Sequence, residues 1–522
     1  MPIQATASRQ QLKMLCWDQY IGAENPVRVI DAFVDYFDLA ALGFQIKGKS
    51  AEGRPAFATA VLVRLYIYGY LNRIRSGRQL EKAARTNIEL LWLLGEARPC
   101  YKTITEFRRI NALALKNLFK SWVQFLRGQD LLQGELIAID GSKFAAQNSK
   151  KNNYNETKVK QHLDYIEKQT QQYLTDLDQL DAAEEAGMEQ ITEIAQKLDH
   201  LKSRKDKYQS IQAQLVEART EGDTQVSTTD ADARALPKKM NIVEMGYNVQ
   251  VAAEAEHKLV TNIEVTNKND GYALSSVALE SQKVLAKKEL TILADKGYDT
   301  GHELKICADH QITTIVAPKK RQSNKKNKQF AKQAFFYDAD LDQYRCPQDQ
   351  VLKTNGTWYK KKAYNQHRAN YQFQRYTCSY NICRHCPFKL DCVGEPNLKN
   401  SKGKFIERSE YEPYIEDNIA RYKVNKERYR LRQQIVEHPF GSIKRQWGYH
   451  YTLLKGMEKV SGEFHLIFTC YNLRRAMSIF GVKGLMERLK AAFYRFLPLW
   501  QLLMAVETKN LICSSVPLQG RR

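Results

Sequence analysis

The sequence predicts an α/β chain of several domains. Two observations carry this expectation. Two short apolar strand patterns each run into an aspartate, and strands alternate with helical patterns between about residues 246 and 317. A third observation, a helical amino-terminal stretch of different character, adds a separate domain.

The first strand pattern lies in "ELIAIDGSKFAAQNSK". Leu136, Ile137, Ala138 and Ile139 read as a buried strand, short and partly β-branched. It runs into Asp140, and an unpaired buried carboxylate is costly. Either Asp140 opens a turn that Gly141 relaxes, or it holds a metal ion at the end of a sheet strand. The second pattern, "TILADKGYD", has the same form, with Asp295 in the place of Asp140. Around it, "GYNVQVAAEAEHKLVTNIEVTN" predicts a hairpin turning near Glu254 to His257. A helix follows from Tyr272 to about Lys288, then the strand Leu290 to Ala294, a helix near His302 to His310 and a strand over Thr313 to Ala317.

The first 130 residues read as short helices. A turn falls near Gly95 and Pro99. Thr103 and Glu106 have capping-box spacing, which predicts a helix starting at Ile104 with Arg108 and Arg109 on its early turns. That pattern suits a DNA-reading helix-turn-helix, or an ordinary helical domain with solvated arginines. From 157 to 220, Leu163, Ile166, Tyr173, Leu177 and Leu180, then Ile191, Ile194, Leu198, Leu201, Tyr208, Ile211 and Leu215, follow 3–4 spacing on either side of Gly187. They predict an antiparallel helical hairpin inserted as a spacer.

Charge points to the partner. Against 58 Asp+Glu stand 80 Lys+Arg, a net charge of +22. Such an excess favours a polyanion, because neutralising phosphates releases condensed counterions. Mean hydropathy is -0.54, and no apolar run approaches the roughly 18 residues of a membrane helix. The amino terminus lacks a basic-then-apolar leader, so a cytoplasmic protein with no membrane association is expected.

Five of the ten cysteines are scattered, and five cluster between Cys346 and Cys392. Cys383 and Cys386 have knuckle spacing, and Cys346 and Cys392 would complete tetrahedral S₄ coordination of Zn²⁺. Cys378 competes with Cys346, and a reduced cluster without metal is the plain alternative. The neighbouring "KKKAYNQHRANYQFQRYTC" is basic and aromatic, as a DNA-contacting insertion would be.

A third carboxylate, Glu437, falls in "RYRLRQQIVEHPFGSIKRQWGYH", with Lys444 seven residues on, two helical turns along one face. Pro439 marks a kink between them. In combination, "IAIDGSKFAAQNSK", "GYNVQVA", "ADKGYD", "VEHPFGSIK" and "EKVSGEFHLIFTCYNLRRAM" resemble the catalytic blocks of the DDE transposases of bacterial insertion sequences. "RVIDAFVDYFDL", "YIYGYLNRIRSGRQLEKAART" and "TITEFRRINALALKNLF" resemble their helical amino-terminal domain. The resemblance implies an RNase H-like catalytic domain, a mixed sheet flanked by helices, over residues 131–480. It would be interrupted by the helical hairpin at 157–220 and a basic, zinc-ribbon-like cysteine-rich insertion at 320–405. A DNA-end-binding domain at 1–130 would precede it, and a tail at 481–522 would follow.

By the same resemblance Asp140, Asp295 and Glu437 form the catalytic triad and hold Mg²⁺ or Mn²⁺, two ions in all. The E-x6-K element is intact as Glu437 and Lys444. The upstream Tyr and Arg of that element are out of register: Arg430 and Gln433 hold the aligned places, and Tyr429 and Arg432 sit one residue earlier. Arg108, Arg109, Arg432 and Lys444 are expected to contact DNA. The implied activity is cut-and-paste transposition on double-stranded DNA, at terminal inverted repeats and target, by a homodimer in a paired-end complex near the bacterial nucleoid. An RNase H-like nuclease that only hydrolyses, or an inactive domesticated DNA-binding protein, are the competing readings.

Overall fold

A computed structural model describes residues 16–45, 56–132, 134–182, 188–220, 223–237, 243–319, 328–361 and 370–496. Gly187, Cys513, residues 497–522 and part of the basic segment before Cys378 lie outside them. The chain forms two units. One comprises residues 1–133, 256–263 and 438–522, the other 134–255 and 264–437.

The first unit is helical. Pro26–Tyr36 starts on an Asn25 cap that accepts from the Val27 amide, and Ile88–Leu94 starts on Asn87, which accepts from Glu89 and Leu90. That second helix stops where Gly95 takes the left-handed conformation, φ 57°. Thr59–Leu71 is apolar almost all round and is correspondingly buried along most of its length. The long helix Met457–Phe496 belongs to this unit. Gly462 permits its approach to Ala112, whose Cα would stand 2.6 Å from a Cβ at that position. Residues 481–496, expected as tail, continue this helix beyond a break at Gly481, and Leu485 and Leu489 are buried.

The second unit carries the mixed sheet. Its strands, in chain order, are β1 (Leu136–Ala145), β2 (Asn153–Tyr154), β3 (Val226–Ser227), β4 (Arg234–Pro237), β5 (Val243–Glu254), β6 (Val260–Thr266), β7 (Leu290–Ala294) and β8 (Ile312–Val316). β6 spans the division between the units. Strands β4-β5-β1-β7-β8 lie side by side. β5 is antiparallel to β1, and β7 and β8 are parallel to it. Helices Leu274–Leu285 and Gly301–Asp309 supply the crossovers that parallel strands need.

Two insertions interrupt this unit. Glu156–Ala182 and Met188–Thr220 are two long helices that share a cluster of Val159, Ile166, Leu201, Tyr208, Ile211 and Leu215. A second, antiparallel sheet holds β9 (Phe336–Asp338), β10 (Gln343–Arg345), β11 (Val351–Lys361), β12 (Tyr371–Thr377) and β13 (Phe405–Ser409), in the order β13-β12-β11-β10-β9.

Candidate active site

β1 does not stop at Asp140. Sequence reasoning expected a strand end there, with a turn at Gly141, but the strand continues to Ala145. What stops is one of its two partnerships. Parallel pairing with β7 runs from Leu136↔Thr291 to Ile139↔Ala294 and goes no further, while antiparallel pairing with β5 continues through Asp140↔Val251 and Gly141↔Gln250. Asp140 and Asp295 are therefore the residues that follow the last matched pair of two parallel strands, on backbones about 4.8 Å apart.

Local bonds fix both carboxylates. Asp140 Oδ1 accepts from its neighbour Gly141 N at 2.9 Å, and Asp295 Oδ1 accepts from Gly297 N at 2.6 Å, capping the short turn Lys296–Tyr298. The Asp140 carboxyl is pushed up to about 6, chiefly by burial; Arg432 opposes the rise, and the charges of Asp295 and Asp270 add to it. The pair is thus a crowded, partly dehydrated negative site.

Asp270 was not anticipated. It stands in the turn before helix Leu274–Leu285, and its Oδ1 accepts from Asn248 Nδ2 at 2.8 Å and Gln250 Nε2 at 2.9 Å. The Tyr298 hydroxyl donates in turn to Gln250 Oε1. A signal for it was present in "GYNVQVA": Asn248 and Gln250 are polar residues in an otherwise buried strand, and buried amides need partners.

The helix Lys426–Phe440 lies on this sheet. Ile435 and Val436 are buried against Ala138, Ala253, Leu293 and Ile315, with Tyr429 at the edge of the same cluster. Arg432 follows Tyr429 by one turn and points the same way. Its Nη1 lies 3.3 Å from Asp140 Oδ2, so it is turned to the carboxylate site and not displayed on the outer face of the helix. Glu437 is one residue beyond the buried stripe, about 100° round the helix. It is exposed and accepts from Gln433 Nε2 at 2.7 Å. The structure therefore joins Asp140 to Asp295, Asp270 and Arg432, and gives Glu437 no described bond to them. Among the described residues, no three His, Cys, Asp or Glu side chains are grouped to hold a metal.

Lys444 lies in a π-helical turn, Gly441–Gln446. The 3.6-residue period that the Glu437–Lys444 spacing assumes ends at Phe440. Pro439 has no N–H to give the preceding turn, and widened turns commonly accompany such a defect.

Two family models match the chain. One is described as a transposase domain and covers residues 15–109; the other, a transposase DDE domain, covers 345–477. The chain is a DDE transposase. Among curated proteins none matches it. A solved cryo-EM structure of a piggyBac transposase synaptic complex with hairpin DNA is similar at 7% identity, over 96% of this chain and 88% of that one, with a TM-score of 0.33. That likeness is too low to bear on individual residues. DDE transposases use divalent metal ions. No helix of the described residues is long and apolar enough to cross a membrane.

In the transposase's first unit the expected capping box does not form. The helix is Tyr101–Ile110, with Cys100 at the N-cap, so Thr103 is already inside it. The Thr103 hydroxyl lies 3.3 Å from Cys100 Sγ, and Glu106 is engaged by Arg109 instead of reaching back to a cap. Arg108 is buried at 4% exposure and donates to the Tyr70 hydroxyl and the Arg75 carbonyl, which removes it from any DNA surface. Arg109 is exposed. Two effects are therefore expected to separate. Arg108→Ala lowers stability by roughly 2–3 kcal/mol through the buried groups it strands, with little change in the salt dependence of DNA binding. Arg109→Ala leaves the urea melt unchanged and shallows the salt slope by about one unit. Urea melts and binding isotherms at several salt concentrations check both.

The five clustered cysteines lie near one another. Cys346, Cys378, Cys383, Cys386 and Cys392 line one cavity of about 30 Å³ beside the second sheet. Burial raises the Cys378 thiol to about 12, helped by its bond to Cys383 and by the thiols of Cys346 and Cys392. Backbone amides of Gln348 and Gln350 both donate to Cys346 Sγ at 3.3 Å, and that of Lys404 to Cys383 Sγ at 3.5 Å.

Proposed function

We propose that this transposase cuts and rejoins DNA at the ends of its own element, with Asp140, Asp295 and Glu437 as the metal-binding triad of an RNase H-like domain. The observation that carries the reading is the register Ile139↔Ala294, from which Asp140 and Asp295 emerge side by side. A sheet with β5 antiparallel and β7 and β8 parallel to β1 supports the RNase H-like assignment.

The residues suit a hard divalent ion. Mg²⁺ takes one or two carboxylates and fills its remaining positions with water and substrate phosphate, so Asp140 and Asp295, completed by Glu437, need not form a closed protein cage. The added Cβ that Gly141 lacks would stand 2.5 Å from Asp270 Oδ1 and 3.0 Å from Asn248 Oδ1, so the site is built around a bare backbone. When bound, Mg²⁺ or Mn²⁺ supplies Lewis acidity to the phosphoryl transfer, with two ions serving the attacking and leaving oxygens. Arg432 holds Asp140 Oδ2 in place, Glu437 approaches from the helix that Arg432 anchors, and Lys444 and Arg109 take phosphate contacts.

The excess of 80 Lys+Arg over 58 Asp+Glu supplies the affinity for double-stranded DNA. Joining two ends requires two sites, so the working form is a homodimer in a paired-end complex. A plasmid carrying the element between its terminal repeats tests the reading. Excision and insertion into a second plasmid are expected with Mg²⁺. Cleavage without any joined product would leave a nuclease, and end binding without cleavage a DNA-binding protein.

The cysteine cavity belongs to the same proposal as a structural Zn²⁺ site. No three thiols stand at ligand geometry as they are, but side chains lining one cavity can converge by rotation about χ1. Amide N–H groups donate to the sulfurs of Cys346 and Cys383 and hold those two side chains at the cavity. Elemental analysis of reduced, unchelated protein is expected to find one zinc per chain, and none after Cys386→Ser. Zinc-free wild-type protein would remove the metal from the account.

A further inference from the structure

The second carboxylate motif and the first share a feature that the triad does not explain: each Asp is followed closely by a glycine, Gly141 and Gly297. Both glycines face Asp270. A Cβ at Gly141 would stand 2.5 Å from Asp270 Oδ1, and one at Gly297 would stand 2.7 Å from Asp295 Oδ1 and 3.4 Å from Asp270 Oδ2. Alanine at either place would force a carboxylate aside. Neither glycine has a positive φ, so what they provide is room for side chains and not backbone freedom: for Gln250 Nε2, 2.4 Å from a Cβ at Gly141, and Asp270 at the first, and for Asp295 with Asp270 beside it at the second.

Asp270 is also held with some care. Oδ1 is bound by two amides, both buried, and Gln250 is itself fixed by Tyr298. Oδ2 accepts no hydrogen bond from the described residues and lies on the Asp295 side. Beside it Asn248, 0% exposed, leaves its Oδ1 without a hydrogen-bond partner while directing it at the Gly141 backbone. A buried acceptor left open at a group of carboxylates calls for a donor or a hydrated cation. Repulsion among Asp140, Asp295 and Asp270, opposed by Arg432, works the same way.

We infer that Asp270 is a positioning residue for the divalent ion, accepting through Oδ2 a hydrogen bond from the water shell of a cation held by Asp140 and Asp295. This rests on the active-site reading above. It adds a carboxylate that acts through water. Outer-shell partners of this kind set metal affinity by roughly 10- to 100-fold.

The test is Mn²⁺ binding to the full-length protein without DNA, read from the free-ion paramagnetic resonance signal, with a thermal melt for each variant. Asp270→Asn keeps the shape and an acceptor for the two amides but replaces the free oxygen or its charge. It is expected to weaken Mn²⁺ binding at least about tenfold with its melt unchanged. Asp140→Asn is expected to weaken it more. If Asp140→Asn weakens binding and Asp270→Asn does not, the inference is overturned and the Asp140–Asp295 site stands. If neither variant shifts binding, the site reading itself fails. Asp270→Ser repeats the measurement if the Asn variant does not fold, and loss of folding in both assigns Asp270 to the core and overturns the inference.

Discussion

Asp140→Asn, Asp295→Asn and Glu437→Gln proteins are expected to fold, bind element ends with near wild-type affinity, and lose strand cleavage and strand joining together by at least about 10³-fold. That loss corresponds to about 4 kcal/mol of transition-state stabilisation. Each change removes one negative oxygen from a metal site while altering volume little. Affinity is spared because it comes from the excess of basic residues, not from these three acids. Cleavage and joining fall together because one site performs both. The three positions do not carry equal weight in the geometry. Asp140 and Asp295 are neighbours at the end of one strand pairing, whereas Glu437 lies exposed on its helix, bonded to Gln433. Near-normal excision by the Glu437→Gln protein would remove it from the triad. Glu427 is the next candidate on that helix, although it is exposed and paired with Arg430.

Glu463→Ala is expected to be the most damaging single change to the first unit, at about 3–5 kcal/mol. Glu463 is fully buried, faces Arg75 at 3.5 Å, and accepts from the Leu453 and Leu454 amides at 2.9 and 3.2 Å. Arg75 is itself buried, lies against the rings of Tyr449 and Tyr451, and donates to the Tyr451 carbonyl. Truncating the acid strands a buried guanidinium and two amide protons at once. Glu463→Gln keeps an acceptor for the amides and is expected to cost less. Urea denaturation measures both. A loss below about 1 kcal/mol for the alanine variant would mean that water replaces the carboxylate, and that the pair adds little to stability.

The strands that carry Asp140 and Asp295 were legible because apolar runs ending in an acid break the rule that buried charge is paired. The residue that organises the space between them was not. Asp270 follows "TNKN", a stretch that reads as an ordinary turn, and its importance comes from Asn248 and Gln250, far back along the chain. Arg432 is a similar case. A one-residue shift from the family pattern obscured it, yet its position one turn from Tyr429 and one from Val436 puts it on the buried stripe. The capping box misled because spacing alone cannot say whether Thr103 has a helical or an extended backbone. Pro99 and Cys100 set the start earlier. The E-x6-K spacing is a case of the same kind: a period holds only while the helix stays regular, and the α-helix gives way to a π-helical turn after Phe440.

The first unit takes its helices from both ends of the chain, with Met457–Phe496 completing a core begun by Pro26–Tyr36 and Ala112–Gly128. On a ribosome these ends are not available together. At about 5–20 residues per second, the early helices wait on the order of tens of seconds for the late one. During that interval Phe119 lacks the cover that His465 of the late helix gives it, and Phe33 and Trp122 have only the rings of the early helices beside them. Protein released before Met457 is made never gains the rest, so unfinished copies are natural substrates for chaperones and proteases, and only fully translated chains acquire a complete first unit.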